Sequence, residues 1–164
     1  MKDNEIRLLA ELLRNSKKSD RELARTLGLS QATVSRTRSK LERDKVIQEY
    51  TIIPDFTKLG FELFAITTGW FKAPRDDKLQ ERARAWMKKH PNVILSSRAQ
   101  GMGKDAVTVS FHKNFTDYEN FMVELKSDWI DAVEDYDSIL VSLKGFMAKP
   151  FSLKYLAETI NPSK

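Results

Sequence analysis

Apolar positions recur at helical spacing up to about Arg43 and at strand-like spacing in much of the chain beyond Tyr50. Ile6, Leu9, Ala10 and Leu13 share one face of a helix predicted over Asn4–Asn15. The polar stretch Ser16 to Lys18 interrupts it. Ser19-Asp20-Arg21-Glu22 has the form of a capping box, and Leu23, Ala24 and Leu27 make the next short stripe. Gly28 is placed to end that helix at a positive φ. Leu29 fills the turn, and Ser30 caps a third helix running to about Arg43. Two short helices around Gly28 have the spacing of a helix-turn-helix. Val46 to Ile52 then reads as a strand, which would make the motif winged.

The third helix carries the informative pattern. With Val34 inward, Thr37, Arg38 and Leu41 fall on the same half. Ala32, Arg36, Ser39 and Arg43 fall on the other, with Thr33, Ser35 and Lys40 beside them, and Ser30 and Gln31 open the helix. This face is small, hydroxylic or cationic, without a carboxylate at its centre. Small residues permit close approach, hydroxyls and Arg reach base edges, and Lys and Arg meet phosphates. A polar cationic helix face standing alone is usually a solvated surface. Here it follows a capping box and a turn glycine and precedes a strand, and that order favours double-stranded DNA as partner.

Beyond Tyr50 the pattern changes. Phe61 to Phe71 is apolar on both faces and predicts a strand buried on both sides. Lys72 to Asp77 reads as a turn rather than a linker. Asp77 to His90 carries Leu79, Ala83, Trp86 and Met87 at helical spacing. Val93 to Ala99 and Ala106 to Phe111 are strands around a glycine-rich hairpin. Thr116 to Trp129 is a helix, with Thr116 as cap and Glu119 three residues on, and Val133 to Leu143 contains the last strand. This strand, helix, strand, strand, helix, strand order is ferredoxin-like. Two helices cover one face of such a sheet. The other needs cover, from a second copy in a homodimer or from an amphipathic stripe of Leu153, Leu156, Ala157 and Ile160 in the tail.

Composition sharpens the division near Ile53-Pro54-Asp55. The chain has 164 residues, and its formal charge of +5 comes mostly from the segment before Asp55. All the aromatics lie at or beyond Tyr50. The domains predicted are 1–53 (winged helix-turn-helix), 54–60 (connector), 61–143 (ferredoxin-like) and 144–164 (an extension with a short helix). The fold class is α+β. Cysteine is absent, which excludes disulfides, thiol nucleophiles and thiolate metal sites. No apolar run approaches the roughly 20 residues of a membrane span. No signal-peptide core opens the chain, so a soluble cytoplasmic protein is expected, without membrane association.

Ser19 to Ser30, Thr33-Val34-Ser35-Arg36, Leu41-Glu42 and Val46-Ile47 resemble the winged helix-turn-helix of the Lrp/AsnC (feast/famine) transcriptional regulators. The ferredoxin-like order that follows extends the resemblance over about Asn4 to Leu143. Lys45 departs from the family's usual Gly, and Arg38 from its usual aliphatic. The resemblance implies DNA-binding dimers, often assembled into tetramers or octamers, many of which sense an amino acid through the second domain. Members commonly carry Gly-x-x-Asp in the hairpin between the second and third strands. Here Gly101, Gly103 and Asp105 stand with altered spacing, either as an effector site or as a plain hairpin. A two-fold dimer implies a near-palindromic operator.

An enzyme is not expected. His90 and His112 are the only histidines, and no metal-ligand cluster, phosphate loop or nucleophile motif is present. No cofactor is implied. Sirohaem decarboxylases share the two-domain layout, and His112 with Arg98 are the residues such chemistry would enlist. The cationic small-residue helix has no use there. An RNA-binding sheet lacks its aromatic signature.

Overall fold

The computed structural model describes residues 1–72 and 76–161. The chain forms two compact units, Met1–Ile53 together with the tail from Lys149, and Pro54–Ala148. In the first, α1 (Asp3–Arg14), α2 (Asp20–Leu27) and α3 (Gln31–Arg43) enclose Leu8, Leu12, Leu23, Leu27, Val34 and Leu41. The capping box forms as expected: the Ser19 hydroxyl accepts from the Glu22 N–H, and the Glu22 carboxylate accepts from the Ser19 N–H. Gly28 takes φ 68, in the left-handed region.

No strand forms over Val46–Ile52. Ile47 packs on the core, while Val46, Tyr50, Ile52 and Ile53 are exposed. Strand pattern becomes a ladder only when a second strand supplies N–H and C=O groups, and the described residues of this unit contain none. The tail forms a 3-10 turn at Leu153–Tyr155 and α6 at Leu156–Ile160. It lies on α1, where Ala157 is fully buried and Arg14 pairs with Glu158 at 2.6 Å. Leu153, Leu156 and Ile160 of its predicted stripe remain exposed.

The second unit is β1 (Leu63–Phe71), α4 (Asp77–Lys89), β2 (Val93–Gly101), β3 (Lys104–His112), α5 (Phe115–Asp128) and β4 (Val133–Ser142). The sheet order is β2-β3-β1-β4, every pairing antiparallel. Of the turn expected over Lys72–Asp77, Ala73, Pro74 and Arg75 lie outside the described residues. Asp76 caps α4, its carboxylate accepting from the Leu79 N–H at 2.8 Å. The cap of α5 is Asn114, not Thr116. Asn114 is extended and accepts from the Asp117 N–H, and Thr116 already lies within the helix. Trp86, Phe121, Met122, Leu125, Trp129 and Val133 make the core between helices and sheet.

On the opposite face Ile66 stands in register with Val109 and Ile139, and Phe64 with Phe111 and Val141. Phe56 stacks on Phe111 at 4.4 Å and Phe61 meets it edge-on, covering one end. Elsewhere Trp70 is 42% and Ile139 63% exposed. The second face of β1 is therefore only partly buried within one chain, and the tail, packed on α1, does not cover it.

Candidate nucleic-acid interface

The start of α3 is fixed by its own hydroxyls. Ser30 Oγ accepts from the Thr33 N–H at 3.1 Å and lies 2.8 Å from Thr33 Oγ1. These two side chains serve the cap, leaving Gln31, Ala32, Ser35, Arg36 and Ser39 as exposed groups along the outward face. Val34 and Leu41 are buried on the other side, and Thr37 is half-buried. The helical phase expected from the sequence is thus the phase observed.

The cations divide into anchored and unanchored. Arg38 Nη2 pairs with Asp20 at 2.8 Å and donates to the Lys18 carbonyl at 3.2 Å, latching α3 to the start of α2. Lys40, expected on the outward flank, binds Glu5 of α1 at 2.5 Å. That ammonium and the Lys2 N–H hold the Glu5 carboxyl below its usual range, and Glu5 in turn raises Lys40. Arg43 leans on Asp44 at 3.2 Å but stays exposed. Arg36 has no ion pair among the described residues.

Two further cations were not singled out in the sequence. Arg21 and Arg25 on α2 are exposed and without an ion pair among the described residues. Their signal was legible: both lie off the Leu23, Ala24 and Leu27 stripe.

The end of α3 is a Schellman turn. The Val46 N–H donates to Leu41 O at 2.9 Å and the Lys45 N–H to Glu42 O at 3.1 Å. Lys45 takes φ 57, the conformation for which glycine is favoured.

In the second unit, Met102 and Gly103 form a two-residue hairpin turn, with φ of 53 and 68. Gly101 and Lys104 close it as a strand pair. The Asp105 carboxylate accepts from the Phe71 N–H at 3.2 Å. Gly101, Gly103 and Asp105 thus all have roles in sheet structure.

Ser110, His112 and Asp117 are arranged in the order of a hydrolytic triad. Ser110 Oγ lies 2.8 Å from His112 Nε2, and Asp117 lies 3.7 Å from Nδ1. Ser110 and His112 are completely buried, so no substrate reaches them. Burial pushes the imidazole below its usual pKa against the pull of Asp117. His112 is likewise closed to a tetrapyrrole. His90 caps α4, stacked on Trp86 with Nδ1 2.8 Å from the Trp86 carbonyl. Among the described residues no group of His, Asp and Glu could hold a metal ion, and no helix is long and apolar enough to cross a membrane.

A family model for winged helix-turn-helix DNA-binding domains matches residues 1–48. The chain is 30% identical over 141 residues to an HTH-type transcriptional regulator of Pyrococcus horikoshii, PH0061, covering 84% of this chain and 90% of that one. It is 25% identical over 132 residues to the HTH-type transcriptional regulator LrpC of Bacillus subtilis, covering 80% and 78%. The crystal structure of PH0061 superimposes with a TM-score of 0.77, covering 93% of this chain and 97% of that one at 25% identity. A Neisseria meningitidis transcriptional regulator solved as an L-Met complex gives 0.78 over 93% and 94%, at 18% identity. The last is a likeness of fold.

Proposed function

The chain belongs to the Lrp/AsnC family of transcriptional regulators, and from that premise we propose that it reads duplex DNA with the outward face of α3 in the major groove. Regulation of transcription, not catalysis, is the activity of its relatives. Gln31, Ala32, Ser35, Arg36 and Ser39 are the groups offered to base edges, with Arg36 the bidentate reader of a guanine. Arg43 and the two α2 arginines, Arg21 and Arg25, meet phosphates at the groove's edges. Lys40 contributes mainly through its pair with Glu5, which fixes α3 against α1. Ser30 and Thr33 shape the helix start that approaches the DNA backbone. The observation that carries this reading is Arg36, exposed and without an ion pair among the described residues, beside small hydroxylic residues on a helix whose Arg38 and Lys40 are tied down.

A homodimer presents two such helices. The uncovered apolar side of the sheet, with Ile66, Val109 and Ile139, supports pairing through the second unit. The operator is then near-palindromic, its half-sites separated by whole helical turns. Selection of binding sites from a random duplex pool tests this. A two-fold consensus is expected, and enrichment of no sequence, or of an asymmetric one, overturns it.

For an amino-acid effector, support comes from the neisserial relative's L-Met complex rather than from Gly101, Gly103 and Asp105, whose geometry serves the hairpin and the β1 edge. A panel of amino acids in the same binding assay tests it. A shift in operator affinity supports an effector, and its absence across the panel removes one.

A further inference from the structure

A cavity of about 220 Å³ opens in the second unit between α4 and the helix-facing side of the sheet. Its floor follows from strand register. Arg98, Ala106, Gly69 and Tyr136 form one row across β2, β3, β1 and β4. A cation and a phenol therefore stand at the two ends of a trough floored by the two smallest residues. The next row brings Ser96, Thr108 and Thr67 together, so hydroxyls run alongside. Ala83 of α4 lines the roof, and Arg84 on the same helix adds a second cation.

Two donors in this lining are unused. Trp129 is 3% exposed and its indole N–H has no hydrogen-bond partner among the described residues. The Tyr136 hydroxyl is buried and equally unpartnered. Burial pushes that phenol up to about 12, so it stays a neutral donor across the physiological range. Buried donors without acceptors are rare, and two on one cavity call for an explanation. Among the described residues neither Arg84 nor Arg98 forms an ion pair and no carboxylate lines the space.

We infer that this cavity binds a small apolar carboxylic acid that carries a second acceptor oxygen and no ammonium group, the chemistry of a 2-oxo acid. Its carboxylate meets Arg98 and Arg84, its apolar body lies over Ala106 and Gly69, and its second oxygen accepts from Trp129 or Tyr136. Volume limits the ligand to metabolite size. Lack of a carboxylate in the lining discriminates against an amino acid, whose ammonium would sit unpaired beside arginine. This site lies within one chain and does not rest on the DNA-reading proposed above.

The full chain, labelled with nitrogen-15, is titrated with 4-methyl-2-oxopentanoate and phenylpyruvate, and in parallel with leucine and phenylalanine. The indole N–H resonance of Trp129, assigned with Trp129→Phe, is the readout. The oxo acids are expected to shift it, and the amino acids to leave it unmoved. Arg98→Gln is expected to weaken oxo-acid binding about tenfold or more. Ala83→Leu keeps helix propensity and fills the space, and is expected to abolish binding, its fold checked in the same spectrum. No shift with either oxo acid, equal binding of leucine, or affinity unchanged in Arg98→Gln each overturns the proposal.

Discussion

Lys45 holds a backbone conformation that its side chain disfavours. At φ 57 its Cβ crowds the following carbonyl, a strain relieved in glycine. Lys45→Gly should therefore raise stability by about 0.5–1 kcal/mol, the relief exceeding glycine's added unfolded-state entropy. Urea unfolding of the two proteins measures it, and a lower midpoint for the glycine variant would contradict the strain argument. The position was visible in the sequence as a departure from the family's usual residue. Its neighbour in that list, Arg38, was not interpretable without coordinates. A cation at an inward phase makes sense only once Asp20 and the Lys18 carbonyl are seen facing it. Lys40 shows the same limit. Helical phase put it on the cationic flank, but Glu5, thirty-five positions away, claims it.

Elements were legible where local chemistry fixes them. Ser19, Glu22, Gly28 and Ser30 mark helix ends through bonds to backbone within a few residues, and those ends are where the sequence places them. Elements that depend on a distant partner were not. Val46–Ile52 has a strand's pattern but no ladder, and Asn114, not Thr116, wins the α5 cap because the chain is extended at Asn114 on leaving β3. The cavity floor was hidden for the same reason, since Arg98 and Tyr136 share a row only through the register of four strands. One consequence belongs to β3 and α5 together. His112 is buried with its pKa lowered, so the unfolded chain binds its proton more readily than the native one. This stability is whole above the ordinary histidine value of about 6.5 and is lost as pH falls below it toward the native value. The urea midpoint of the wild type should fall between pH 7.5 and 5.5 by more than that of His112→Asn. Equal falls in the two proteins would show that His112 is not the group responsible.

For the molecule as a whole, the shift in aromatic content near Tyr50 lies beside the division after Ile53, whereas the tail from Lys149, expected as part of a separate extension, groups with the first unit. The uncovered sheet face was anticipated in kind but not in extent, and it sets the assembly prediction. Ile139→Lys places a charge on a residue already 63% exposed in the single chain, so the monomer fold should tolerate it. Light scattering should then give the mass of one chain where the wild type gives two, and a variant with unchanged mass would remove this face from the pairing surface. Specific DNA binding should weaken with the lost pairing. The central claim, that α3 reads bases through Arg36, is tested most directly by a binding titration at fixed salt. Wild type and Arg36→Ala are compared on a selected operator and on a scrambled duplex. The account predicts that the variant loses about 1–3 kcal/mol of preference for the operator while its affinity for scrambled DNA changes little. An unchanged preference would contradict it.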